Sequence, residues 1–278
     1  QIQYRNIDHF AESHSFEGEC EIQGGKTRYF EISLQPSPGG AHLPGGAMCV
    51  FRDVTTRKLS FDHEIAYAAR EQSEFLPEAV PNFRDLDFDY AYIPYIAVGG
   101  DYYDFVSLGE DRYLILMADL TGHGVQAALY MSMLNISFHE IVRRGADIRG
   151  IVQQLNYVFA KLVPGTLIVP YILFEYDAVR ALLRYANVGH PPFFHVRGES
   201  VTEYRRNNPA SGLRETLEAK ADEIQLATGD LLFCATDGVE DVVNREGDRF
   251  EDERVAQAVH DLAGRTPKEF SAALKERL

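Results

Sequence analysis

Arg112-Tyr-Leu-Ile-Leu-Met-Ala-Asp119-Leu-Thr-Gly-His-Gly124 is the stretch from which this chain is read. A run of large apolar residues, Tyr113 to Met117, stops near a single carboxylate, Asp119. Gly122 and Gly124 follow, and a second apolar run begins after them. An apolar run bounded by turn residues predicts a buried strand. Asp119 then stands where a core strand opens into a loop, held by a rigid element yet reachable by water. That placement suits a ligand of a divalent cation.

Working outward, the chain alternates the same device. Tyr102 to Leu108 predicts a strand ahead of the central one, after a turn at Val98-Gly99-Gly100-Asp101, and Phe88 to Pro94 alternates aromatic and polar residues like another strand. Val125 to Arg144 is apolar nearly all round and predicts a buried helix. Asp147 is a good N-cap for a second helix, with Ile148, Ile151, Val152, Leu155, Val158, Phe159 and Leu162 at helical spacing. Strands are expected again at 167–176, 180–186, 192–196, 200–204, 221–226 and 231–235, the last stopping at Thr236-Asp237-Gly238. Helices at 252–262 and 267–278 close the chain. Strands, two helices, strands, then helices predict a layered α+β domain with antiparallel sheets.

Upstream, residues 1–58 read as β-rich. Gly18 to Gln23 and Arg28 to Gln35 are expected strands about a turn at Gly24-Gly25. Pro36 to Gly46 is a loop, and Ala47 to Val54 a further strand. Leu59 to Leu76 is helical in pattern, with Ile65, Ala68, Ala69, Gln72, Phe75 and Leu76 near one face, and Pro77 and Pro81 end it. The expected organisation is 1–58, a linker helix in 59–80, and a larger domain over 81–278. The chain opens and closes within patterned sequence, so a fragment of a longer protein is expected.

Composition narrows the function. The 278 residues carry 27 basic and 42 acidic side chains, a net charge of -15, and 45% are hydrophobic. Such a chain has an ordinary globular core. It is a poor nucleic-acid binder, because phosphate contacts need clustered Lys and Arg. No run approaches the roughly 18 apolar residues of a membrane span. Cys20, Cys49 and Cys234 are scattered, which suggests buried reduced thiols in a cytoplasmic protein.

Three places share one chemical logic, an Asp beside Gly near the end of an expected strand: Gly99-Gly100-Asp101, Asp119 through Gly124, and Asp237-Gly238. Carboxylates that converge repel one another unless a cation lies between them. Oxygen-only ligands select hard ions such as Mg²⁺ or Mn²⁺. Two such ions about 3.5–4 Å apart bind a phosphate and activate a water.

The ordered set resembles the PPM-type metal-dependent serine/threonine protein phosphatases, in their bacterial SpoIIE/RsbU-like branch. The resemblance rests on Gly99-Gly100-Asp101-Tyr102-Tyr103-Asp104, Ala118-Asp119-Leu120-Thr121-Gly122-His123-Gly124, Asn187-Val188-Gly189-His190-Pro191-Pro192 and Ala235-Thr236-Asp237-Gly238-Val239-Glu240-Asp241. It covers roughly residues 77–278. It implies a four-layer α-β-β-α sandwich and two Mn²⁺ or Mg²⁺ ions. Asp119 would bridge them, Asp101 and the Leu120 carbonyl would hold one, and Asp237 the other. It also implies hydrolysis of phosphoserine or phosphothreonine without a phospho-enzyme, on an anti-anti-sigma (STAS) protein. The family adds a further Asp in a strand after its last helix, which this sequence does not reach. The stretch Arg52-Asp53-Val54-Thr55-Thr56-Arg57-Lys58 resembles the end of PAS sensor domains, so a partial PAS-like sheet is expected in front.

Some assignments stay open. His123 reads as turn geometry, and His190 as a structural hydrogen-bonding group. Asp104 and Asp241 read equally as groups orienting metal waters or as solvated turn residues. Tyr90, Tyr92, Tyr95, Tyr102 and Tyr103 read as sheet packing. A non-catalytic pseudophosphatase relay of the same fold is the alternative function. A calcium-stabilised binding domain lacks the acidic loop of an EF-hand. The linker helix is a candidate homodimer element. Its rotation or dimerisation is expected to move the Gly99–Asp101 turn and so gate metal binding.

Overall fold

The computed structural model describes residues 14–22, 26–37, 46–94, 98–109, 111–120, 122, 124–163, 167–244, 247 and 249–278. The Gly24-Gly25 turn, most of the 36–46 loop, Tyr95, Thr121 and His123 lie outside them. The chain forms two compact units, Gln1–Tyr67 and Ala68–Leu278.

In the first unit, β1 (His14–Ile22), β2 (Lys26–Ser37) and β3 (Gly46–Asp53) form an antiparallel meander in that order. The expected strands are therefore present, with Ile32 in the interior. Helix α1 (Thr55–Ser73) starts four residues before the expected Leu59. The backbone N–H of Thr55 donates to Asp53 Oδ1 at 3.0 Å. A short polar side chain satisfying an orphan N–H at a helix start is an ordinary initiation device.

The second unit holds β4 (Asp101–Gly109), β5 (Arg112–Asp119), α2 (Val125–Arg143), α3 (Ile148–Tyr157), β6 (Tyr171–Asp177), β7 (Leu182–Val188), β8 (Phe193–Arg197), β9 (Ser200–Tyr204), β10 (Asp222–Gln225), β11 (Leu231–Cys234), α4 (Glu251–Asp261) and α5 (Pro267–Arg277). One sheet runs β10-β7-β6-β5-β4 and the other β11-β8-β9. Every strand pair in them is antiparallel.

Side-chain alternation sorts the layers. Along β5, Leu114, Leu116 and Ala118 pack with Met131 and Leu134 of α2 and Ile151 of α3. Tyr113, Ile115 and Met117 belong with Phe193, Leu232 and Cys234 of the second sheet. On that sheet's far side, Phe194 and Val196 meet Val255, Val259, Phe270 and Leu274 of α4 and α5. Three apolar interfaces thus separate four layers, helices-sheet-sheet-helices, which is the expected sandwich. Buried on both faces, β6 is interior at all seven positions. Tyr103 and Phe105 of β4 and Leu232 and Phe233 of β11, the outer strands, help bound a cleft of about 1620 Å³.

Four expectations need correction. Cys20 and Cys49 are exposed rather than buried, and Cys234 is half-buried. Residues 88–94 form no strand. Their rings pack on β4 instead, with Phe88 against Phe105 at 5.1 Å and Tyr90 against Tyr103 at 5.1 Å. Alternation reports which side chains face the core, not whether the backbone joins a ladder. Helix α2 is not buried all round. Ala127, Met131, Leu134, Phe138 and Ile141 are interior, but Val125, Leu129, Met133 and Ile136 are exposed, because only one side meets the sheet. After Tyr157 the chain widens to a π-turn, Val158–Leu162, closed by Val163 N–H to the Val158 carbonyl at 3.2 Å. The wider winding shifts the helical phase, so Phe159 stays buried and Leu162 does not.

Candidate metal centre

Asp101 is the first residue of β4 and Asp119 the last of β5. The two are direct cross-strand partners, so the ladder itself brings their backbones together. Asp237 arrives from the other sheet, opening a 3₁₀ turn, Asp237–Val239, just after β11. The hydroxyl of the preceding Thr236 donates to Asp101 Oδ2 at 3.4 Å, linking the two sheets at the site.

The electrostatics are those of crowded anions. The Asp119 carboxyl is pushed up to about 7. Burial is the first cause, the charges of Asp237 and Asp101 come next, and a hydrogen bond with Asp237 and the charge of Asp241 add to it. The Asp101 carboxyl is raised by burial and by Asp237, and partly relieved by the Thr236 hydroxyl. The three carboxyls share one neighbourhood. Among the described residues no group of three or more His, Cys, Asp or Glu is arranged to hold a metal ion as it stands.

The backbone of Leu120 is set by Gly100. Its N–H donates to the Gly100 carbonyl at 3.4 Å, and a methyl on Gly100 would run into the Leu120 carbonyl oxygen. Only glycine leaves that carbonyl free beside Asp101 and Asp119. Gly99 is gripped from α1: Gln72 Nε2 donates to the Gly99 carbonyl at 2.6 Å, and the Gly99 N–H donates to Gln72 Oε1 at 3.1 Å. The Tyr92 hydroxyl donates to the Asp101 carbonyl at 3.4 Å.

Of the remaining candidates, Asp104 separates from this centre, whereas Asp241 stays close enough for its charge to act on Asp119. Asp104 is buried on the face of β4 turned to α2. It accepts from the Tyr102 hydroxyl and lies 2.7 Å from His139 Nε2, while Asn135 Nδ2 donates to the Tyr102 oxygen at 2.7 Å. Asp104 therefore fastens sheet to helix and is not a solvated turn residue. Asp241 faces Arg249 at 2.8 Å, and its N–H donates to the Asp237 carbonyl. Tyr90, Tyr92 and Tyr103 pack together as expected, whereas Tyr102 turns toward α2.

His190 is buried. Its N–H donates to Asn187 Oδ1 at 3.0 Å, its Nδ1 lies 3.1 Å from the Pro191 carbonyl, and its Nε2 is a buried atom with no partner. A proton on Nδ1 satisfies the carbonyl and leaves Nε2 as an acceptor. Burial holds the ring neutral, pulling its pKa from 6.5 down to about 4. The sign follows: the unfolded chain binds the proton first, so acid favours unfolding. We expect this group to remove about 3 kcal/mol of stability between pH about 6.5 and about 4. Urea melts across that window should show His190→Gln losing less stability than the parent. Equal losses would refute a buried neutral imidazole.

Sequence reasoning missed Gln72, Thr236, Arg205 and Arg206. Gln72 had a signal, as a polar residue on an apolar helix face. Arg205-Arg206 had a weaker one, two consecutive cations in an acidic chain. With His190, Asp119 and Asp237 they line a cleft of about 610 Å³.

The model of the family "Stage II sporulation protein E (SpoIIE)" matches residues 109–278. The chain is 27% identical over 186 residues to phosphoserine phosphatase RsbU of Bacillus subtilis, covering 66% of this chain and 55% of RsbU. It is 27% identical over 190 residues to phosphoserine phosphatase RsbP of the same organism, covering 66% and 47%. The chain thus spans about half the length of these relatives. The SiaA-PP2C domain of Pseudomonas aeruginosa superimposes with a TM-score of 0.70 at 22% identity, over 81% of this chain and 91% of that domain. The PP2C phosphatase domain of Bacillus subtilis SpoIIE, with a fragment of its regulatory domain, gives 0.54 at 23% identity, over 65% and 50%. Both likenesses support the fold.

Proposed function

We propose, from the premise that this chain belongs to the SpoIIE family, that it is a metal-dependent phosphatase acting on phosphoserine or phosphothreonine in a regulatory protein. The observation that carries the reading is the meeting of Asp101, Asp119 and Asp237 at one sheet-to-sheet junction. The residues fit a pair of hard cations. Their donors are all oxygen, their mutual repulsion is only partly relieved by the Thr236 hydroxyl, and Gly100 keeps the Leu120 carbonyl free. Asp119 would bridge the ions, Asp101 and the Leu120 carbonyl would hold one, and Asp237 the other. Bound Mn²⁺ or Mg²⁺ supplies an activated water and neutralises phosphate charge. The chain's own groups position: Thr236 orients Asp101, Tyr92 steadies its backbone, and His190 is a neutral structural group rather than a nucleophile.

The relatives named phosphoserine phosphatases favour phosphoserine, and the motif resemblance adds to the proposal an anti-anti-sigma (STAS) type of substrate and a PAS-like sheet over 1–58 as the sensor. Work in the cytoplasm belongs to the same proposal. Among the described residues no helix is long and apolar enough to cross a membrane. Hydrolysis of p-nitrophenyl phosphate and of a phosphoserine peptide with Mn²⁺ or Mg²⁺ tests the reading. Turnover that chelation abolishes is expected. Metal-insensitive turnover or none would overturn it. The second reading is a non-catalytic relay of the same fold, and absence of turnover in that assay supports it.

Control through α1 follows from Gln72. The two hydrogen bonds to Gly99 are worth about 1–3 kcal/mol together. Gln72→Ala is expected to raise the Mn²⁺ concentration at half-maximal activity about tenfold. An unchanged metal requirement would detach α1 from the site. Dimerisation through α1 belongs to the same proposal, and sedimentation of an Ile65→Asp, Phe75→Asp variant checks it.

A further inference from the structure

We infer that Arg205 and Arg206 form a subsite that takes acidic side chains flanking the phosphorylated residue of a protein substrate. The inference rests on the phosphatase reading and deepens it. The lining of the cleft of about 610 Å³ carries both signs of charge. Asp119, Asp237 and Glu240 are its anions, and Arg205 and Arg206 are the cations among its lining residues. A volume of that size accommodates a drug-sized ligand rather than a lone phosphate, so the cleft has room for residues beside the phosphorylated one. Pro191 and Pro192 contribute rigid apolar wall to it.

The arginines are presented on an anchored loop. Directly after them, the N–H groups of Asn207 and Asn208 both donate to the Asn187 carbonyl, at 3.1 and 3.0 Å. Asn207 Oδ1 accepts from the Asn187 N–H at 2.9 Å. Asn208 Nδ2 donates to the Lys220 carbonyl at 2.9 Å, and Asn208 Oδ1 accepts the Lys220 N–H at 2.8 Å. The Gly189 N–H donates to the Asn208 carbonyl at 3.1 Å. Gly189 has a positive φ of 75°, and a methyl there would strike Ala210. The arginine loop and the His190 loop are therefore locked together. The guanidiniums begin from a fixed base although their side chains reach into solvent.

Position decides what they bind. Both arginines are exposed, whereas Asp101 and Asp119 are withdrawn into the junction. Cations at a rim meet the surroundings of the phosphorylated residue before its phosphate. Arg205 is already 2.8 Å from Glu203, another exposed group, so it exchanges one carboxylate for another at little cost. In a chain of net charge -15, an anionic protein is otherwise repelled. Two cations beside the site supply the complementary patch that steers and registers it.

The test uses two fluorescent peptides carrying the non-hydrolysable phosphonate analogue of phosphoserine, one flanked by Asp and Glu and one by Asn and Gln. Binding is read by anisotropy with Mn²⁺ at low salt. The parent should prefer the acidic peptide about tenfold, as two ion pairs at a partly exposed rim allow. Arg205→Ala with Arg206→Ala should bring the ratio near one, and Arg205→Lys with Arg206→Lys should keep most of it. A ratio near one in the parent, or a ratio kept in the double Ala variant, overturns the subsite. Hydrolysis of p-nitrophenyl phosphate by the parent reports separately. If it fails while the peptide preference holds, the phosphatase reading falls and the acidic-peptide subsite stands.

Discussion

Asp119→Asn is expected to lose at least about a thousandfold in metal-dependent phosphatase turnover, while making the metal-free protein more stable at neutral pH. The first effect follows from removing the carboxylate proposed to bridge both ions, when charge stabilisation is the main source of rate in such chemistry. The second follows from the crowding. The Asp119 carboxyl, raised from 3.8 to about 7 by burial and by Asp237 and Asp101, is neutral in the fold at acid pH. It becomes an unfavourable buried charge as pH rises toward and through about 7. Its stability contribution is thus complete below about 3.8 and lost by about pH 8. A neutral amide escapes that loss. Thermal melts in chelator at about pH 8 should show the Asp119→Asn variant above the parent, with the gap closing in acid. Opposite signs on stability and activity mark a group kept for function. A variant that loses stability at alkaline pH, or that retains turnover, would contradict the assignment.

Gly100→Val should abolish the thermal shift that Mn²⁺ produces and cost about 1–3 kcal/mol of stability. A side chain at Gly100 meets the Leu120 carbonyl, a backbone atom that cannot rotate away, and lies 3.3 Å from the Ala127 side chain. Relief requires parting the starts of β4 and α2, which carries Asp101 away from Asp119. The neighbouring glycine is the control. Among the described residues, a methyl on Gly99 would meet the Tyr92 hydroxyl at 4.0 Å, an ordinary contact, so Gly99→Ala should keep most of the Mn²⁺ shift. Differential scanning fluorimetry with and without Mn²⁺ reads both. Equal tolerance at the two positions would remove Gly100 from the site.

The three candidate aspartates were legible because each lies beside glycine or, for Asp119, three residues before one, near the end of an apolar run or at a turn, a purely local signal. Asp104 was not, because two roles fit the same local pattern. Strand alternation puts it on the α2 face of β4 with Tyr102, opposite to Asp101 and Tyr103, and only the packed helix supplies His139 as its partner. The aromatic alternation at 88–94 misled for a related reason. Ring packing on Tyr103 and Phe105 satisfies the same period as a strand.

Spacing within short windows of sequence was enough for the order of most strands and helices, the Asp147 cap, the antiparallel α+β class and the three carboxylates. Tertiary structure alone decided that Thr236 and Asp237 of one sheet meet Asp101 and Asp119 of the other. It also decided that Gln72 reaches Gly99, that one side of α2 stays uncovered, and that Arg205 and Arg206 stand at the mouth of the cleft. Periodicity records which face of an element is apolar. Which element covers that face, and which polar groups the covering brings together, is set by the packing of whole layers.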